Sequence, residues 1–330
     1  MLLPMFVSQE YVSASLVPYI NWLYFFHAWG LKSRLADVAK LHPCPACRAQ
    51  WLNSFSEADR NEAAEAARLY DEARRWLNEH GESLKACAKF ALLPARSCED
   101  DVWVLLEDGK TEKRLPFLRQ QCPDSSDGFC HCLSDFVSPQ GGGKDYAGEP
   151  EKFVGLFATS VLDSAEVSEA DPYQRMLRQT LSDRLAEAAA ECLHREVRCR
   201  WWGYAMQENL STDALFAEAY RGLRPAVGYP SLPDLSFNFL LDEILDMRSI
   251  GIRLTEHGMM QPHAAVSGLM LAHAKARHFS VGRIGEDQLA DYARRRGMPE
   301  DVLRKFLSRH LKGRKSPALH ENLMLNSINP

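Results

Sequence analysis

The segment Arg221-Gly222-Leu223-Arg224-Pro225-Ala226-Val227-Gly228-Tyr229-Pro230-Ser231-Leu232-Pro233 gathers three prolines, two glycines, two arginines and a tyrosine in a stretch that cannot be helical. Arg224 can grip a carboxylate through two parallel N–H donors. Backbone this constrained can hold N–H and C=O groups against a flat ligand edge at low entropic cost. Tyr229 offers an aromatic face to a cation. The same composition also suits a rigid surface turn. Glu187 and Glu218 lie upstream, and either carboxylate can accept a bond from a ligand amine or hydroxyl. Carboxylates on helices are otherwise simply solvated.

A second candidate is Cys44-Pro45-Ala46-Cys47, a CxxC. A second CxxC at ribbon spacing is missing, so a complete structural zinc site is not indicated. Cys130-His131-Cys132 adds soft ligands only if the fold brings it close. A redox CxxC would open a helix after a strand, and nothing before Cys44 reads clearly as that strand. The expectation is no metal, with Cys44 and Cys47 as residual candidates for a metal or redox role. The nine cysteines read as reduced, mostly buried thiols. His257, His263, His273 and His278 match no helical HxxxH and no zinc spacing. Thr255-Glu256-His257 reads as a polar loop at a strand end, a common place for function. No Ser-His-Asp arrangement or nucleophile elbow is visible, and Ser267-Gly268 reads as a packing feature. There is no GxGxxG after a strand and no GxxxxGK[ST].

The elements that must position these residues read as follows. Ser56-Glu57-Ala58-Asp59 resembles a capping box, and an Ala/Glu/Arg-rich helix follows to about Gly81. Phe90 to Leu93 and Val102 to Leu106 are apolar strand runs, and Glu107-Asp108-Gly109-Lys110 signals a hairpin turn. Phe153 to Val161 is a further strand. Asp171 and Pro172 open the strongest helix, whose apolar residues recur from Tyr173 to Val197. Its other face carries Arg184, Glu187, Glu191 and Arg195. Shorter helices are expected at Ser211 to Arg221, Asp234 to Ser249 and Glu286 to Arg296, with Gly222, Gly251 and Gly297 as C′ glycines. Ala265 to Leu271 and His278 to Ile284 are strand candidates. Long helices beside antiparallel-type strands indicate an α+β fold. Gln140 to Lys144 and the acidic stretch Asp163 to Asp171 divide the chain into halves of about 1–162 and 163–330.

Composition bounds the function classes. The 330 residues are 46% hydrophobic and 25% charged, which excludes a disordered, collagen-like or coiled-coil chain. A net charge of −5 argues against a general nucleic-acid binder. The basic runs Arg294-Arg295-Arg296 and Lys312 to Lys315 read as solvated faces. No signal peptide is visible, and the apolar run from Leu16 to Trp29 is too short to span a bilayer. A cytoplasmic protein, with neither nucleic acid nor membrane as partner, is expected.

The chain resembles the C-terminal activation domain of cobalamin-dependent methionine synthase. Tyr19 to Phe26 is similar to the family's YIDWxxFF, Leu118 to Gln121 to LRQQ, and Leu133 to Pro139 to LADFVAP. Asp183 to Ala188 is similar to DRLAEA, Trp202 to Tyr204 with Glu208 to Leu210 to WGYxxxENL, and Arg224 to Pro230 to RPAxGYP. Thr255-Glu256, Val266 to Gly268 and Asp287 to Arg295 continue the collinear series over almost the whole chain.

The resemblance implies one α+β domain over 1–330, built round a twisted antiparallel sheet flanked by helices. It also implies S-adenosylmethionine as ligand. The role would be reductive methylation of cob(II)alamin held by a partner methionine synthase chain, in methionine biosynthesis. The electron would come from flavodoxin or an equivalent reductase. Carried over residue by residue, Arg224 would bind the ligand carboxylate, and the Ala226 and Gly228 backbone would hold the adenine edge with Tyr229 alongside. Glu187 and Glu218 would lie near the pocket, and Asn21, His278 and Phe279 stand at further ligand positions. No residue is expected to act as acid or base, because a sulfonium is already an activated methyl donor. The family has Asp where this chain has Asn21, two tyrosines where it has His278-Phe279, and His where it has Leu235. Cys44 to Cys47 has no family counterpart. No methyltransferase or cobalamin module is read in the chain, so action on a separate polypeptide is expected, as a subunit that is not active alone. The alternative is a non-catalytic docking protein for a corrinoid protein, with a degenerate ligand pocket.

Overall fold

The computed structural model describes residues 4–123, 128–164 and 171–311. Lys312 to Lys315 and most of the acidic stretch lie outside them. Six strands form the main antiparallel sheet: β1 Met5–Val12, β2 Leu84–Cys98, β3 Asp101–Leu105, β4 Glu112–Pro116, β5 Phe153–Asp163 and β8 Ala265–Met270. A small separate hairpin joins β6 Arg253–Leu254 to β7 Met260–Gln261. The helices are α1 Ser13–Leu16, α2 Trp22–Ala28, α3 Pro45–Asn53, α4 Glu57–His80, α5 Pro172–Glu196, α6 Thr212–Phe216, α7 Phe237–Leu245, α8 Glu286–Arg296 and α9 Glu300–Phe306. The α+β class read from the sequence is what the structure shows. No helix among the described residues is long and apolar enough to cross a membrane.

Strand β2 organises the sheet. One edge pairs with β5 from Leu84↔Asp163 to Pro94↔Phe153. The other edge pairs with β1, and beyond it with β3 at Ala95↔Val104. Period-two alternation sends Ala86, Ala88, Phe90 and Leu92 into one core, beside α4 and α5, and Cys87, Ala91, Leu93 and Ala95 into a second, beside α7, α8 and α9. Both faces are covered, so β2 and β5 read as apolar runs without clean alternation.

Local signals hold where the chemistry is local. Ser56 Oγ accepts the Asp59 N–H at 3.3 Å, capping α4. Asp171 Oδ1 accepts the Tyr173 N–H at 2.9 Å, with Pro172 in the first turn of α5. The β3–β4 turn closes on Asp108, which accepts the Lys110 and Thr111 N–H groups, and Gly109 supplies a φ of 65°.

Several expectations change. The Phe90 to Leu93 run is the middle of a 15-residue strand, and β1 is an additional strand. Their lysines and Ser-Gln-Glu pattern hide both from an apolar-run search. His278 to Ile284 is not a strand; among the described residues its one ladder contact is the bridge of Ile284 to Leu311. The helix expected at Ser211 to Arg221 stops at Phe216, so Gly222 does not cap it. Asp234 to Ser249 contains α7 and a 3-10 turn, separated by Asp246 at φ 49°. Only Cys87, Cys132 and Cys192 are buried, so the thiols are not mostly buried. Arg295 and Arg296 are not solvated: Arg295 bonds Asp101, Asp291 and the Phe117 carbonyl, and Arg296 bonds Ser236.

Candidate functional site

Strand β8 would leave its outer edge unpaired, and the Arg221 to Pro233 segment covers it. Leu223 and Leu271 exchange N–H···O bonds of 2.8 Å, the Leu269 N–H donates to Pro225 O at 3.0 Å, and the Val227 N–H donates to Ser267 O at 2.9 Å. The proline- and glycine-rich stretch is therefore a bound edge and not a free turn. Gly268 permits the approach. A Cβ there would lie 2.2 Å from Pro225 O and 2.8 Å from Ala226 Cα. The packing reading of Ser267-Gly268 is correct. Beyond the edge the chain turns: the Gly228 N–H donates to Leu232 O, and Gly228 has φ 91°.

Helix α5 supplies the facing surface. Glu187, Glu191 and His194 on α5, and Arg198 in the π-helical turn Val197–Trp201 that continues it, recur at intervals of three and four and so form one stripe. Burial deepens along it: Glu187 is half-buried, Glu191 is 8% exposed, and His194 and Arg198 are fully buried. Glu191, on the helix face opposite the apolar one, is thus buried and not solvated. Arg224 Nη2 donates to Glu191 Oε2 at 3.0 Å. The Arg224 Nε and the other Glu191 oxygen are buried without a partner. Burial alone would lower the Arg224 pKa, but Glu191, Tyr220 and Glu187 outweigh it and keep the guanidinium charged. A charged group with an unmet donor is suited to an anionic ligand.

Around this centre, the Tyr229 hydroxyl donates to Glu187 Oε1 at 3.3 Å, and the Glu187 charge and burial together raise the phenol pKa. His278 Nε2 lies 3.1 Å from Glu218 Oε1. Burial opposes ionisation of Glu218, but the His278 hydrogen bond and charge, with Arg224, hold its pKa below the usual carboxylate value. Glu218 itself takes φ 51°. Arg198 forms a two-point pair with Glu208, at 2.7 and 2.8 Å, and lies 4.0 Å over the Tyr220 ring. His194 packs edge-on to the same ring. Burial, then the Arg198 and Arg224 charges, drive its pKa well below the ordinary value, so it is neutral.

Of the residues singled out from the sequence, the structure brings Glu187, Glu218, Arg224, Ala226, Gly228, Tyr229 and His278 to this region. Asn21 is the N-cap of α2, its Oδ1 accepting the Leu23 N–H at 3.1 Å. One turn later, the Tyr24 hydroxyl feels burial and then the Glu187 and Glu218 carboxylates, which raise its pKa. Phe279 does not join its neighbour His278; it is buried in the second core near Phe136 and His131. Sequence reasoning missed Tyr24, Tyr220 and the ion-pair role of Glu191. The 187–191–194–198 spacing was the signal that could have shown the stripe.

The histidines His257, His263, His273 and His278 disperse: His257 lies near Glu256, His263 near Asp183, and His273 near the Phe136 ring. Cys132 is buried beside Arg119 and Asp135, and does not join the CxxC. His42, Cys44 and Cys47 do converge, their ligand atoms all within 4.8 Å of one another.

A family model described as "Vitamin B12 dependent methionine synthase, activation domain" matches residues 13–297. The chain belongs to this family. A solved structure, "Crystal Structure of the MetH Reactivation Domain bound to AdoHcy", is similar at 30% identity with a TM-score of 0.78, over 94% of this chain and 91% of that one. The fold is thus shared with a relative whose structure is described as bound to AdoHcy. The residues matched by the family model take in the Arg224 edge and the α5 stripe, together with α2 and His278.

Proposed function

We propose that this activation domain binds S-adenosylmethionine where α5 meets the Arg224 to Tyr229 edge, and reactivates a cobalamin carried by a partner methionine synthase chain. The observation that carries the reading is the buried Arg224, held on one side by Glu191 and left with an unmet Nε donor. A ligand carboxylate would meet that donor. Glu187, Glu218 and the Tyr24 and Tyr229 rings would face the ligand's cationic part, and the backbone from Ala226 to Gly228 would present a flat edge to adenine. Asn21 contributes a dipole in place of a charge, and His278 adds a titratable group beside Glu218. When bound, the sulfonium supplies the methyl group for reduced cobalt, with an electron from flavodoxin or an equivalent reductase. The chain's own residues position and neutralise; none of them moves a proton in this scheme.

Titration calorimetry with S-adenosylmethionine tests the reading. The wild type binds at one site, and Arg224→Gln weakens binding by about 30-fold or more, as expected when a buried charge contact is removed. Absence of wild-type binding, or unchanged affinity in Arg224→Gln, refutes it. A second reading is favoured by Phe279, which faces the core, and by Asn21, which caps a helix: a docking protein whose ligand pocket is degenerate. That reading requires capture of a cobalamin protein with no S-adenosylmethionine binding.

A further inference from the structure

Helix α3 is weakly anchored by apolar packing. None of its residues is buried, and Trp51 and Leu52 are only partly covered. Its start is unusual. The Cys44 N–H donates to the His42 carbonyl at 2.7 Å, folding the chain back at Pro43. Cys44 is then the N-cap, with Pro45 in the first turn, and its Sγ accepts the Cys47 N–H at 3.3 Å. These two local bonds place three soft or borderline donors, one imidazole and two thiols, on one side of the helix start. They are the one His/Cys/Asp/Glu group among the described residues whose ligand atoms all converge, within 4.8 Å of one another. Tetrahedral zinc with bonds near 2.3 Å separates its ligand atoms by roughly 3.7 Å, so rotations of three accessible side chains suffice to close the set.

We infer that His42, Cys44 and Cys47 form a tridentate zinc site of the pattern H-x-C-x-x-C, with the fourth position open to water. Two thiolates and an imidazole select a borderline-soft divalent ion over magnesium or calcium, which take oxygen ligands. Binding releases the two thiol protons, and the Cys47 N–H already aimed at Cys44 Sγ supports the resulting charge. The ion clamps residues 42–44 to α3, supplying the attachment that buried apolar side chains do not. The site is independent of the Arg224 region and of the ligand proposed for it.

The test uses the full chain, reduced and stripped with a chelator, then titrated with zinc, with cobalt(II) as a spectroscopic probe. The wild type takes up one ion at this site, and cobalt develops thiolate-to-metal charge-transfer absorption. Cys44→Ser combined with Cys47→Ser abolishes that absorption. Losing even an outer-shell partner costs about 10–100-fold in affinity, so His42→Ala weakens binding by at least about tenfold. Zinc also protects Cys44 and Cys47 of the wild type from a thiol reagent, while the exposed Cys98 and Cys122 still react. This protection assay needs no variant and so does not depend on one folding. Absence of the charge-transfer band, binding unchanged in the double serine variant, or Cys44 and Cys47 closing to a disulfide in the presence of zinc would each overturn the site.

Discussion

The Glu191–Arg224 pair gives the sharpest quantitative expectation. Its side chains are 10% and 13% exposed, and its N–O distance is 3.0 Å. At an effective dielectric near 20 the attraction is about 5 kcal/mol. Desolvation of two ions, several kcal/mol each, offsets most of that, so the intact pair contributes little net stability. Glu191→Gln is different: the guanidinium stays buried and charged while its counter-charge is gone. Breaking a buried pair costs roughly 3–5 kcal/mol, and Gln keeps one acceptor, so a loss near 3 kcal/mol is expected. For a chain of this size that corresponds to a fall of roughly 6 °C in Tm, at about 2 °C per kcal/mol. Calorimetry or denaturant unfolding reads it. Replacing both partners, Glu191→Leu with Arg224→Met, should recover stability to within about 1 kcal/mol of the wild type. S-adenosylmethionine should stabilise Glu191→Gln more than the wild type, because its carboxylate replaces the missing charge. The reasoning fails if Glu191→Gln unfolds within about 0.5 kcal/mol of the wild type, the range of a surface substitution. It also fails if the apolar double variant is less stable than Glu191→Gln alone.

Other outcomes follow from the same geometry. Gly268→Ala places a Cβ 2.2 Å from Pro225 O, so the covering edge must detach; ligand binding and Tm should both fall, and unchanged calorimetric titration would contradict the edge role. Arg295→Ala leaves Asp101 without its 2.6 Å partner and should destabilise the chain by about 3 kcal/mol in urea unfolding, where a solvated arginine would change almost nothing. Glu218 has a folded pKa below its usual 4.5, so its stabilising contribution is present above that value and lost as pH falls through the folded value. Its side chain is about half exposed, so the contribution is below about 1 kcal/mol. Glu218→Gln should therefore be slightly less stable at neutral pH and show a flatter acid limb below pH 4.5 in pH-dependent unfolding; an unchanged limb would discount the His278 contact.

What could be read from the amino-acid sequence was set by neighbours along the chain. The caps at Ser56 and Asp171, the Asp108 turn and the apolar period of α5 depend on residues within a few positions, so type and spacing suffice. The collinear family motifs likewise pointed to Arg224, Glu187 and Tyr229, which the fold brings near one another. Only the tertiary structure decided burial and pairing over long separations. Glu191 on a helix face and Arg295 in a basic run both look solvated locally; in the fold Glu191 meets Arg224 on the covering edge and Arg295 meets Asp101 on β3. Phe279 and His278 are adjacent in sequence, yet one enters the second core and the other reaches Glu218. Gly268 has meaning only beside Pro225, 43 positions earlier. His42 belongs with Cys44 and Cys47 through one backbone hydrogen bond, which the count of CxxC pairs alone did not reveal.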